Sequence, residues 1–186
     1  MSTLFGMPFF LEDQSGDIEN SEFNDLYNRM RFSLRKTSAD DAANTTLMVY
    51  DLSSPSASSR NDLRVPVACL TFGAGPTLGT VRIKTGPAVN MEQYLSRVGR
   101  NPKVRKFIAH DEQEYRWTHR PGGDTEWQCV NSSGYEVAVY SLKPAGEPHY
   151  PNSSGCSLTI EENYAHLAGE LLASLTIMRH MAIHNL

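Results

Sequence analysis

Two short stretches hold most of the side chains able to do chemistry. The first is basic: Arg97, Arg100, Lys103, Arg105 and Lys106 fall within ten residues. Guanidinium forks and ammonium groups at this density suit phosphate, whether on a lipid headgroup or a nucleotide. Near an anionic bilayer each such cation contributes roughly 1 kcal/mol. The competing account is a solvated charged loop around Gly99 and Pro102, balanced by Asp111, Glu112 and Glu114 just downstream. The second stretch is mixed: His110, Asp111, Glu112, Glu114 and His119, again within ten residues. Such a set could supply a general base or a metal ligand. An extended chain gives it a plainer role, because Glu114, Arg116 and Thr118 then face one way and Tyr115, Trp117 and His119 the other. Residues 111–113 become a polar hairpin tip, and no motif joins a nucleophile, a base and an orienting group.

Other candidates carry less. His180 and His184 are four apart, as two metal ligands on one helix face would be, but no third ligand is near. Imidazoles also suit a helix C-terminus. The glycine-rich residues 73–79 lack the lysine of a phosphate loop and precede a strand, so they are expected to be a turn. Cys69, Cys129 and Cys156 form no Cys-x-x-Cys pair, which fits unpaired thiols in a reducing compartment. Neither a metal nor a cofactor is implied.

These side chains need a frame. A chain of 186 residues suffices for one core and is short for two domains. β-like runs recur at residues 4–11, 30–36, 47–52, 65–72, 80–84, 106–110, 115–119, 126–130, 136–141 and 157–160. Turn residues separate them, at 121–124 and 131–134 most plainly, and residues 53–62 and 144–155 are expected to be exposed loops. Alternation is clear in Met30-Arg31-Phe32-Ser33-Leu34-Arg35 and in residues 135–140, where Tyr135, Val137 and Val139 share a face. Residues 161–184 differ, with no proline, one glycine and a helical stripe of Tyr164, Leu167, Leu171, Leu175, Met178 and Ala182. Leu172, Ile177, Met181 and Ile183 widen that stripe until the helix needs cover on more than one side. The expected fold is mainly β, a single domain: an antiparallel barrel or strongly curved sheet around a C-terminal helix. Residues 1–43 supply N-terminal strands, 44–160 the barrel strands and 161–184 the helix.

Charge and hydropathy narrow the function classes. A net charge of −4 argues against a protein that coats nucleic acid. No apolar run approaches the length of a membrane span, and residues 1–11 lack the cationic start and cleavage site of a secretory signal. A soluble, cytoplasmic chain is expected.

Several features resemble, in the same order, those of an uncharacterised domain family widespread in fungi, especially mushroom-forming species. They are Asn44-Thr45-Thr46, Glu114-Tyr115-Arg116-Trp117, Val137-Ala138-Val139-Tyr140 and a last strand running into an apolar helix. The resemblance covers residues 44–184 and departs at His110-Asp111-Glu112-Gln113, where the family has Asp-Gly before its Glu-Tyr-x-Trp. The layout also resembles the tubby-like barrel of tubby, LURP-one and phospholipid-scramblase proteins, in which a C-terminal helix threads a closed antiparallel barrel. The resemblance implies a fold and no activity.

Two functions follow as expectations. One is a non-enzymatic binding module whose Arg97, Arg100, Lys103, Arg105 and Lys106 engage an anionic membrane surface or a protein partner. The other is a small enzyme or ligand carrier using His110, Asp111, Glu112, Glu114 and His119.

Overall fold

The structure is a computed structural model, and it describes residues 6–37, 44–53, 65–74, 77–122 and 125–186. The expected features at residues 4–11, 53–62, 73–79 and 121–124 lie partly outside the described residues.

Thirteen strands among the described residues form one antiparallel sheet. They are β1 (Phe9–Asp13), β2 (Asn20–Asp25), β3 (Arg31–Thr37), β4 (Thr45–Asp51), β5 (Ala68–Phe72), β6 (Thr80–Ile83) and β7 (Val89–Asn90), then β8 (Ser96–Val98), β9 (Asn101–Ile108), β10 (Glu114–His119), β11 (Thr125–Asn131), β12 (Glu136–Ser141) and β13 (Cys156–Ile160). Strands β1 through β7 pair in succession with one another, as do β8 through β13, and β1 joins the two runs by pairing with β13 from Phe9–Ile160 to Asp13–Cys156. The order β7-β6-β5-β4-β3-β2-β1-β13-β12-β11-β10-β9-β8 makes β1 the middle strand, so the N-terminal strands are integral to the sheet. The two edge strands are separated only by the short helix α1 (Met91–Tyr94) and Leu95. That connection brings the edges back towards each other. The sheet is therefore strongly curved but not closed by hydrogen bonds.

What it curves around is α2 (Ala168–His184), reached through a 3-10 helix at Glu162–Leu167. The expected helix began at residue 161; its first turns are the tighter 3-10 form, a common way into an α-helix. All eight residues from Leu171 to Met178 are buried, Ser174 and Thr176 among them, and eight consecutive helix positions cannot share one face. The helix is thus wrapped on every side. Its single glycine, Gly169, permits close approach to the wall, since a Cβ there would stand 2.9 Å from Val67 Cγ2. The last turn, with Ile183 and His184, reaches solvent.

Polar residues on α2 tie it to specific strands. The Trp117 indole N–H of β10 donates to Ser174 Oγ at 2.9 Å, both groups fully buried. Arg179 donates to the Gly16 carbonyl at 2.7 Å, lies 3.5 Å from buried Asp13 and stacks on the Tyr140 ring at 4.7 Å. Tyr140 in turn donates to Asp13 at 2.7 Å. The β2–β3 turn has its own knot at Asp25, which accepts from the Phe10, Tyr27 and Arg29 amides and from Arg29 Nε at 2.8 Å. Burial works to raise the Asp25 carboxyl, but the Arg29 guanidinium and these amides outweigh it and hold the group below its usual range.

Several expectations need correction. Residues 97–106 are not a loop: β8 and β9 pair as a hairpin with Val98 opposite Asn101, turned by Gly99 at φ 64° and Arg100. β12 is not half-buried on a Tyr135 face; Val137 to Tyr140 are all buried and Tyr135 is exposed. A neighbouring register shift at Cys129/Val130 breaks simple alternation there. β2 had no visible signal because two of its three buried side chains, Ser21 and Asp25, are polar.

Replacing Ser174 with alanine should leave the buried Trp117 N–H without a partner. We expect a loss of about 1–3 kcal/mol in urea-denaturation stability; an unchanged midpoint would remove this anchor from the account.

Candidate functional site

The curved sheet has two mouths, set by the ends of α2. Glu170 stands at one and Ala182 at the other, twelve residues or about 18 Å apart along the helix. β10 runs between them, so the hairpin before it serves the first mouth and His119 serves the second.

At the C-terminal mouth, Arg97 of β8, Lys103 of β9, His119 of β10 and Trp127 of β11 border a cavity of about 480 Å³. Met178, Met181, Ala182 and Leu186 supply an apolar floor. His119 and Trp127 are cross-strand partners, stacked with centroids 4.0 Å apart and planes 8° apart. Glu126 accepts from the Trp127 indole at 3.1 Å and lies 3.4 Å from His119 Nε2. The Asn185 amide, in the left-handed cap, reaches back to the Ala182 and Met181 carbonyls, covering part of the helix's negative end. Arg105 sits two residues along β9 from Lys103, on the same inward face. Its side chain is buried; Nη1 donates to the Leu95 carbonyl at 3.3 Å, while Nε and Nη2 have no partner among the described residues. Burial, then repulsion from Arg97, depresses its pKa despite the opposing pull of Glu92.

At the N-terminal mouth, the Glu170 carboxylate is buried and takes three hydrogen bonds. They come from Tyr94 Oη (2.8 Å), the His110 amide (3.0 Å) and His110 Nδ1 (2.6 Å). Burial and the nearby carboxylate push the Tyr94 hydroxyl well above its usual pKa, so it remains a donor. Lys84 Nζ lies 3.0 Å from His110 Nε2. An ammonium only donates, so Nε2 is the acceptor and Nδ1 carries the proton given to Glu170. Beside this chain of contacts, Asp111 accepts from Tyr115 Oη at 2.7 Å and stands 3.6 Å from His166. Burial works to raise the Asp111 carboxyl, and the Tyr115 hydroxyl, the Gln113 amide and His166 overcome it to leave the group low.

The sequence candidates are therefore redistributed. Of the basic set, Arg97 and Lys103 line a common cavity; Arg100 is exposed at the turn, Arg105 is buried, and Lys106 pairs with Glu114 at 2.7 Å. Of the mixed set, His110 and Asp111 share the N-terminal mouth and His119 lies at the other. Glu112 is exposed in a turn at φ 64°. Lys84, Tyr94, His166 and Glu170 escaped sequence reasoning, although a carboxylate on so apolar a helix was a usable signal at Glu170. His180 stacks on Phe72 at 4.0 Å and is buried, with His184 4.4 Å away. Among the described residues, no three His, Cys, Asp or Glu side chains gather as a metal site, and no helix is long and apolar enough to cross a membrane.

A strongly curved antiparallel sheet around an apolar helix, with a cationic–apolar mouth at one end and a histidine–carboxylate cluster at the other, defines a mainly β protein with one long C-terminal helix. The chain belongs to a family of unknown function, DUF6593, which matches residues 17–182. No curated protein and no solved structure matches it.

Burial and the proximity of His184 push His180 down to about 4. A histidine depressed in the folded state is protonated more readily in the unfolded chain, so stability is full above the unfolded value near 6.5. It declines as pH falls through the window from there to about 4. Thermal or urea unfolding between pH 7 and 4 should show a loss on the order of 3 kcal/mol from this group. His180→Leu should flatten that slope.

Proposed function

We propose that this chain is a cytoplasmic, fungal binding module of tubby-like architecture whose C-terminal mouth engages anionic lipid headgroups. The observation that carries the proposal is the meeting of Arg97 and Lys103 above an apolar floor in a cavity of about 480 Å³. Two cations suit a phosphate, and an apolar floor with an aromatic wall suits the glycerol and acyl portion beneath it. Buried Arg105, the cross-strand partner of Arg97, does not line the cavity but adds positive charge behind its wall. The curved sheet around a C-terminal helix supports the tubby-like, LURP-one and scramblase reading, with the difference that this sheet is not closed. The net charge of −4 is no obstacle, because a local field acts over about one Debye length, near 8 Å at physiological salt.

The test is flotation with neutral and phosphoinositide-containing vesicles at low and moderate salt. Binding should require the anionic lipid, weaken with salt and fall by about tenfold or more in Arg97→Glu with Lys103→Glu, in line with roughly 1 kcal/mol lost per neutralised cation and a similar repulsion gained. Arg82→Glu, on a different strand and outside the cavity, should bind as the parent does. Arg105 is left intact because a buried carboxylate there would test folding. Absence of binding to anionic vesicles, or equal binding by the double variant, would overturn the proposal and favour a protein partner.

A further inference from the structure

The N-terminal mouth holds an arrangement that the lipid-binding proposal does not use. Three residues far apart in sequence stand in line: Lys84 Nζ is 3.0 Å from His110 Nε2, and His110 Nδ1 is 2.6 Å from the buried Glu170 carboxylate. A nucleophile within hydrogen-bond reach of a base, itself oriented by a third group, is the general signature of covalent catalysis. Glu170 is held in turn by Tyr94 and by the His110 amide, so the imidazole's tautomer and direction are set by two contacts to one carboxylate. Lys84 itself lies in the left-handed region at φ 49°, where a lysine backbone is strained.

Space is available beside this line. A cavity of about 330 Å³ is bordered by Lys84, His110 and Glu170 and walled by Val81, Ile83, Pro87, Val89 and Ile108. These walls come from β6, β7 and the turn between them on one side and from β9 on the other. The cavity therefore lies at the seam where the sheet fails to close. A second cavity of about 200 Å³, towards His166 and Gly169, shares the same three polar residues. Lys84 is exposed and the His110 side chain is 29% accessible, so a small molecule can reach both.

We propose that Lys84, His110 and Glu170 form a triad that condenses reversibly with a small, apolar-tailed aldehyde or ketone. The apolar seam takes the tail, and a neutral carbonyl fits a centre where the Lys84 cation is offset by the Glu170 carboxylate. The Lys84 ammonium passes one proton to His110 Nε2, and the amine lone pair then forms a bond to the carbonyl carbon as the C=O π pair moves to oxygen. A proton shifts from that nitrogen to the oxygen, giving a neutral carbinolamine. His110 returns its proton to the hydroxyl, the C–O bond breaks, water leaves and a protonated imine remains. An ammonium and a carbonyl compound have become an iminium and water, with no redox change. Lys84 and His110 are the catalytic residues; Glu170 is the positioning residue.

The experiment treats the full chain with butanal and cyanoborohydride at neutral pH and maps reductive alkylation by mass spectrometry. Lys84 should be modified at least about tenfold faster than exposed Lys103, a conservative share of what a positioned base contributes. Without cyanoborohydride the adduct should disappear on dilution. His110→Gln should bring Lys84 down to the Lys103 rate while leaving Lys103 unchanged, and Glu170→Gln should do the same in part. Labelling of Lys84 no faster than Lys103 in the parent chain would overturn the proposal, and that reading needs no variant to fold. An unchanged Lys84 preference in a folded His110→Gln protein would also overturn it.

Discussion

Everything in this fold answers to one constraint: α2 is mostly apolar and is buried around its whole circumference. A helix with one apolar stripe can lie on a sheet and show its other side to water. This one is buried without a break from Leu171 to Met178, so only an enclosing wall satisfies it. An antiparallel sheet of short strands is well suited to the task, because hairpin connections let it curl without long crossovers. The pairing of β1 with β13 makes the wall continuous from the first strand to the last, and the edges approach each other only through α1.

Enclosure by apolar contact alone would leave the helix free to slide and rotate. Buried polar contacts prevent that by making most other positions leave a donor or a charge unpaired. Glu170 fixes the helix start against α1 and the β9–β10 hairpin, Ser174 fixes its middle against Trp117, and Arg179 fixes its end against Asp13 and Tyr140. The same residues that set the helix's position also set the chemistry of the mouths. Glu170 orients His110, and the depth at which the helix stops determines the apolar floor beneath Arg97 and Lys103.

The two mouths differ in kind. At the C-terminal end, exposed cations stand above methionine, alanine and leucine side chains, and the nearby acid Glu126 is turned to Trp127 and His119. That environment is what the proposed binding of an anionic amphiphile rests on. At the N-terminal end, carboxylates and histidines are tied to one another and to tyrosines, which favours directed proton movement over bulk charge attraction. The open seam beside Lys84 is a consequence of a sheet that curls without closing.

Much of this frame was legible in the chain itself. Strands β3, β4, β5, β10 and β12 announced themselves through β-branched and aromatic runs, and α2 through a helical period too apolar for a single face. These are local signals, carried by adjacent residues. β2 was silent because its inward positions are filled by Ser21 and Asp25, whose burial depends on partners brought from elsewhere. Residues 97–106 read as a loop because charge dominates their composition, although Arg105 is inward and buried. The sequence by itself determined the enclosing architecture, since the pattern of apolar residues dictates what must be covered. Which chemical groups meet was left to the tertiary structure: Lys84, His110 and Glu170 are up to 86 positions apart, and only the register of the sheet against the helix brings them within hydrogen-bond distance. Hydrophobic periodicity is written residue by residue, whereas a polar constellation exists only once distant segments have been folded together.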